Sequence, residues 1–229
     1  MTETALPQAR TREVEIPLEG HRLPGVIGMP AAAIGVIVFA HGSGSTHASP
    51  RNAAVAQILE HKGFATLRFD LLFPDEARDR DNAFDIELLA ARLAAVTSWL
   101  EAQPETSHLP VGFFGASTGA AAALVAAAMA PPTVSAVVSR GGRPDLAGAW
   151  LPKVEAPTLL LVGGLDDEVI DLNRLAAEQL KCRHQLTIVK GATHLFEEPG
   201  KLEEVARQAA EWFEEFVPVR QGRSPRAMR

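Results

Sequence analysis

Val111-Gly112-Phe113-Phe114-Gly115-Ala116-Ser117-Thr118-Gly119-Ala120 is an apolar run that ends in a G-x-S-x-G pentapeptide and continues as an almost purely small-residue stretch to Ala130. The run reads as a buried strand, the pentapeptide as a sharp strand-to-helix turn, and the alanines as a helix able to lie close to the sheet. Bulk at Gly115 or Gly119 would clash with the adjoining strand and helix, so small neighbours are required if Ser117 is to be lifted out of the backbone. Ser117 is therefore the candidate nucleophile.

Working outward, residues 35–40 (GVIVFA) form a continuous β-branched and aromatic run of the kind that is covered on both faces. Residues 65–70, 111–114, 134–139, 158–162 and 186–189 repeat that pattern. Helical spacing of apolar residues marks 53–61, 84–103, 118–129, 172–181 and 202–216. Strand alternating with helix predicts a three-layer α/β fold with a mostly parallel central sheet and helices on both faces. Residues 11–18 and 26–29 precede it as extended segments, with 19–25 read as the turn of a leading hairpin. Residues 140–157 have room for a short helix and no large lid, which predicts an open site.

The chain has 229 residues, enough for one sizeable domain, and we place that domain at 11–217 between an N-terminal tail at 1–10 and a mobile C-terminal tail at 218–229. A hydrophobic fraction of 47% with 22% charged residues excludes wholesale disorder. The formal charge of −6 argues against a nucleic-acid partner, and no apolar run reaches membrane-spanning length. The polar N-terminus lacks a signal-peptide core, which makes a cytoplasmic location the expectation. Cys182 is the only cysteine, so neither a disulfide framework nor a cysteine-based metal cluster is available.

A serine hydroxyl needs a general base, and the base needs a carboxylate to orient it. Beyond the strand at 158–162 comes Gly163-Gly164-Leu165-Asp166-Asp167-Glu168-Val169, and beyond 186–189 comes Lys190-Gly191-Ala192-Thr193-His194. The order nucleophile, acid, histidine selects Ser117, Asp166 and His194, with Asp167 as the neighbouring acid that spacing alone does not exclude. Oxyanion donors are expected from the backbone N–H of Thr118 and from the loop His41-Gly42-Ser43-Gly44-Ser45, at Ser43 or the adjacent Gly42. His41 is read as structural, holding that loop through a hydrogen bond to backbone. Arg140 and Arg143, in the loop after 134–139, are offered as a grip for a carboxylate or phosphate on substrate. Arg51 starts a helix and is read as exposed.

These motifs, in this order, resemble the α/β-hydrolase family, and within it the small, nearly lidless dienelactone-hydrolase-like group. The resemblance runs from about Thr11 to Val217 and implies cleavage of a carboxylic ester or lactone through an acyl-enzyme, with no metal or organic cofactor. That group is known for a cysteine nucleophile, whereas this chain carries Ser117, which favours a general carboxylesterase over an enzyme for dienelactone itself. The expected partner is a small-molecule ester or lactone, with no nucleic acid and no membrane, and homo-oligomerisation is left open. The same residues also serve acyl transfer, thioester cleavage or peptide cleavage. A non-catalytic ligand-binding module is the reading from another class.

Overall fold

The computed structural model describes residues 9–131 and 133–217. Its sheet has eight strands: β1 (Arg10–Leu18), β2 (His21–Met29), β3 (Gly35–Ala40), β4 (Phe64–Phe69), β5 (Val111–Ala116), β6 (Val134–Arg140), β7 (Thr158–Gly163) and β8 (His184–Val189). The spatial order is β1-β2-β4-β3-β5-β6-β7-β8. β1/β2 and β2/β4 are antiparallel, and every pairing from β4/β3 to β7/β8 is parallel. The mostly parallel α/β expectation holds.

Alternation along the central strands explains why both faces are covered. Val36, Val38 and Ala40 of β3 point into one core with Val111 and Phe113 of β5. Ile37 and Phe39 point into the other with Phe114. The first core is closed by α2 (Ile86–Glu101), α3 (Thr118–Met129) and α4 (Asp167–Gln179), and the second by α1 (Pro50–His61) and α5 (Lys201–Phe216). Thr118 to Ala128 of α3 are all buried, which accounts for a helix built from small residues rather than from an amphipathic pattern.

Several boundaries differ from the sequence reading, α1 among them, which begins at Pro50 rather than at residue 53. The leading hairpin turns at Glu19 and Gly20 alone, both at positive φ (52° and 80°), and Pro24 and Gly25 lie inside β2 rather than in a turn. Pro24 stands at the end of the β2/β4 ladder, which begins at Gly25; its carbonyl accepts from the Asp70 N–H (3.1 Å), and its missing N–H costs only the reciprocal bond at that end. α2 starts at Ile86, where the Asp85 carboxylate accepts from the Leu88 N–H as an N-cap; residues 80–84 are 3₁₀-helical. α4 starts at Asp167, five residues before the apolar periodicity suggests; Asp166 holds the N-cap position without a side-chain cap bond, and Asp167 and Glu168 place negative charge in the first turn, where the helix dipole favours it.

The expected tails lie outside the described residues, except for Ala9 and Arg10, of which Arg10 begins β1. Between β6 and β7 there is only a 3₁₀ segment, Pro144–Lys153. No described helix is long and apolar enough to cross a membrane.

Candidate active site

Ser117 sits at φ 51°, ψ −123°, a conformation that costs energy for a residue with a Cβ and persists only where its surroundings enforce it. Those surroundings are visible. A Cβ on Gly115 would lie 2.5 Å from Ala120 Cα, and one on Gly119 would lie 2.5 Å from the His41 carbonyl oxygen. β5, α3 and the loop after β3 are thus packed backbone to backbone. The β6 loop secures the turn from the other side: the Ser117 N–H donates to the Arg140 carbonyl (3.4 Å), and the Arg143 N–H donates to the Ser117 carbonyl (3.1 Å).

His194 Nδ1 lies 2.7 Å from Asp166 Oδ2. With Nδ1 protonated, the imidazole donates to the carboxylate and leaves Nε2 to accept a proton. Of the adjacent aspartates it is Asp166 that reaches the histidine; Asp167 opens α4. Ser117 and His194 line one cavity of about 220 Å³ at the C-terminal edge of the sheet. No hydrogen bond joins Ser117 Oγ to His194 among the described residues.

A larger cavity of about 470 Å³ adjoins it across Gly42, Ser43 and Ser45, and apolar residues such as Leu71, Leu72 and Leu89 line its wall. Thr118 faces this larger space and is buried. Its Oγ1 accepts from the Ser43 N–H at 3.0 Å. The Ser43 amide, expected to be free for substrate oxygen, therefore already has an acceptor. The Thr118 N–H belongs to the first turn of α3, which has no intrahelical acceptor for it.

His41 is structural, as expected. Nδ1 donates to the Gly42 carbonyl (3.0 Å) and Nε2 accepts from the Leu71 N–H (3.1 Å), so both ring nitrogens are spoken for by backbone. Burial pushes its pKa below the ordinary value of 6.5, against the opposing pull of the Gly42 bond and Asp70. The ring is thus kept neutral and its tautomer is set by its two partners. His47 extends the brace, with its N–H and its Nδ1 both on Asp70 Oδ1 (2.6 and 2.9 Å).

The two arginines of the β6 loop separate. Arg143 pairs with Asp145 through two bonds, Nε to Oδ1 at 2.9 Å and Nη2 to Oδ2 at 2.8 Å, and it lines neither cavity. The expectation that it grips substrate is corrected: a carboxylate two residues away claims both edges of the fork. Arg140 is 7% exposed and lines the smaller cavity beside Ser117. Arg51, read from sequence as an exposed helix start, lines it too.

A family model of the alpha/beta hydrolase domain matches residues 33–217. The chain belongs to the α/β-hydrolase family. The dienelactone-hydrolase-like resemblance is matched by a solved structure. The dienelactone hydrolase of Anabaena variabilis is 52% identical to it, superimposes with a TM-score of 0.89, and is covered over 99% of its length by 92% of this chain. A cold-adapted esterase from an Arctic intertidal metagenomic library shares the fold (TM-score 0.76) at 17% identity, over 92% of this chain and 95% of that one. Two strains of Mycobacterium tuberculosis carry relatives named "Putative phosphoribosyl transferase", each 58% identical over 207 residues. That match takes in 90% of this chain but 47% of the relative, so this α/β-hydrolase spans about half the length of the curated relatives it matches.

Sequence reasoning missed the supports of the His194 loop. Phe196 is buried at positive φ (57°), and the Thr193 N–H donates to both carboxylate oxygens of Glu198 at 3.1 Å, which holds Glu198 below the usual carboxylate range. A large apolar residue two positions after a loop histidine, followed by acids, was the available signal.

Proposed function

We propose that this α/β-hydrolase cleaves carboxylic esters or lactones through a serine acyl-enzyme. The observation that carries the reading is the 2.7 Å contact of Asp166 with His194, in a loop that shares a cavity with Ser117 on its positive-φ turn. His194 Nε2 takes the proton of Ser117 Oγ as Oγ bonds to the carbonyl carbon. Asp166 stabilises the imidazolium so formed. The alkoxide of the tetrahedral intermediate is received by the Thr118 N–H, joined by the Ser43 N–H as it exchanges Thr118 Oγ1 for the substrate oxygen. Collapse expels the alcohol, which leaves with the proton from Nε2. Water, deprotonated by the same nitrogen, then hydrolyses the acyl-enzyme and restores Ser117. The contact between Ser117 and His194 forms when substrate closes the site, as catalytic hydrogen bonds commonly tighten only in the complex.

The name of the mycobacterial relatives belongs to proteins of which this segment is less than half, and a Ser-His-Asp grouping has no evident task in phosphoribosyl transfer. The experiment is hydrolysis of 4-nitrophenyl butyrate by wild type beside Ser117→Ala, together with labelling by a fluorophosphonate. Wild type should turn over and label. Ser117→Ala should do neither, with kcat down by on the order of 10⁴-fold or more. Turnover retained in Ser117→Ala would remove the assignment.

A further inference from the structure

Arg140 is the last residue of β6, in register with Ala116, and so stands one strand away from the nucleophile turn. Its side chain is almost fully buried, yet it lies in none of the ion pairs found among the described residues. Its Nη2 reaches Asn52 Oδ1 at 3.4 Å, a long contact, while Nε and Nη1 have no hydrogen-bond partner. Burial, reinforced by the neighbouring charge of Arg51, lowers its pKa to about 10, which still leaves it protonated at neutral pH. A buried cation without a counter-charge destabilises a fold, and it is kept where something else supplies the charge.

The residues that line the cavity beside Arg140 carry positive or no charge, with the Glu197 and Asp166 carboxylates behind Arg51 and His194. Arg51 lines the same cavity; its Nη1 is held by Glu197 at 2.9 Å, but that carboxylate is largely exposed, and Arg51 Nε is buried without a partner. Ser49 and Asn52 of the same wall form the N-terminal end of α1, whose dipole favours negative charge, although Pro50 has no N–H and the Asn52 and Ala53 N–H groups already donate to Ser49. No carboxylate lines this cavity among the described residues.

We propose that Arg140, with Arg51 and the start of α1, forms a subsite for a carboxylate or phosphate carried by the substrate a few bonds from the scissile carbonyl. The subsite rests on the ester-hydrolase reading above and makes the preferred substrates acidic esters or lactones. The small compartment holds the acidic portion against Arg140 while its carbonyl meets Ser117. The apolar compartment of about 470 Å³ takes the rest. Arg140 binds and orients; it takes no proton.

The test uses the full chain and two esters that differ by a terminal carboxylate, 4-nitrophenyl butyrate and mono-4-nitrophenyl glutarate. Wild type should favour the acidic ester in kcat/KM. Arg140→Gln should lower the acidic-to-neutral ratio by about tenfold or more, the size of one lost charged hydrogen bond. Arg140→Lys, which keeps the charge, should retain part of the ratio and covers the case in which the glutamine variant does not fold. A ratio unchanged to within about twofold in Arg140→Gln overturns the subsite, as does a wild type that discriminates against the acidic ester. Melting temperatures with glutarate and with inorganic phosphate supply a readout independent of turnover. Both anions should stabilise wild type and Ser117→Ala and have no effect on Arg140→Gln, and the larger shift identifies carboxylate or phosphate as the natural group. Anion stabilisation without ester turnover would refute the ester reading and keep the subsite; turnover of the neutral ester without any anion effect would do the reverse.

Discussion

Arg140 ends β6 and Arg143 follows three residues later in the loop after it, and their guanidinium groups meet opposite environments. Arg143 turns outward into a two-bond pair with Asp145, which raises its pKa above the ordinary arginine value. Arg140 turns inward, loses its hydration, and finds one long contact to an amide oxygen. The difference teaches that charge alone does not mark a binding residue. What marks it is a charge whose desolvation the protein itself leaves uncompensated. Asp166 and Asp167 repeat the lesson with the opposite sign: one reaches His194 at 2.7 Å, and its neighbour opens a helix.

The sharpest way to break the comparison is at the aspartates. Asp166→Asn should lower kcat on 4-nitrophenyl butyrate by about 10⁴-fold, since it leaves His194 in the wrong tautomer, whereas Asp167→Asn should stay within about threefold. The reverse outcome would transfer the orienting role to Asp167. A second test moves the nucleophile rather than its partners. A Cβ on Gly42 would lie 2.8 Å from Ser117 Cβ, so Gly42→Ala must shift either the β3 loop or the serine. We expect kcat/KM to fall on the order of 10²-fold, as for a misplacement of about an ångström, with near-UV circular dichroism retained.

The arginines themselves should separate in stability. Arg140→Met removes an uncompensated buried cation and should raise the stability measured by urea unfolding, by about 1 kcal/mol. Arg143→Gln breaks a partly exposed pair and should lower it by at most about 1 kcal/mol. Equal signs for the two variants would erase the distinction drawn here. The smallest effect concerns His41, a buried group whose two nitrogens are both satisfied. Its folded pKa lies below 6.5, so the unfolded chain binds the proton first as pH falls. Stability contributed by the neutral ring is therefore complete above about pH 6.5 and declines below it. Melting temperature between pH 7 and 5 should show that decline, and His41→Gln should flatten it.

Much of this molecule was legible before its structure. Continuous β-branched runs alternating with helical spacing define a parallel sheet, because a strand covered on both faces must be apolar on both faces. That Ser117, Asp166 and His194 would lie at one edge of the sheet was legible because each follows a strand there, so chain order translates into spatial order. The hairpin turn was misread at Pro24 and Gly25, since both residues usually punctuate chains and only the pairing pattern shows that they lie inside a strand. α4 begins early, at Asp167, with two acidic residues in its first turn where the helix dipole favours them, and apolar periodicity carries no trace of that.

Sequence by itself determined the layer order and the place of each candidate site residue along the chain, since apolar patterning and small-residue turns act locally and leave local marks. Tertiary structure alone decided which arginine faces Ser117, which aspartate meets His194, and that the Ser43 amide is held by the Thr118 hydroxyl. Those outcomes depend on contacts between residues as far apart as Ser43 and Thr118 or Asn52 and Arg140, whose identities say what bonds they could make but not which groups the folded backbone brings within reach.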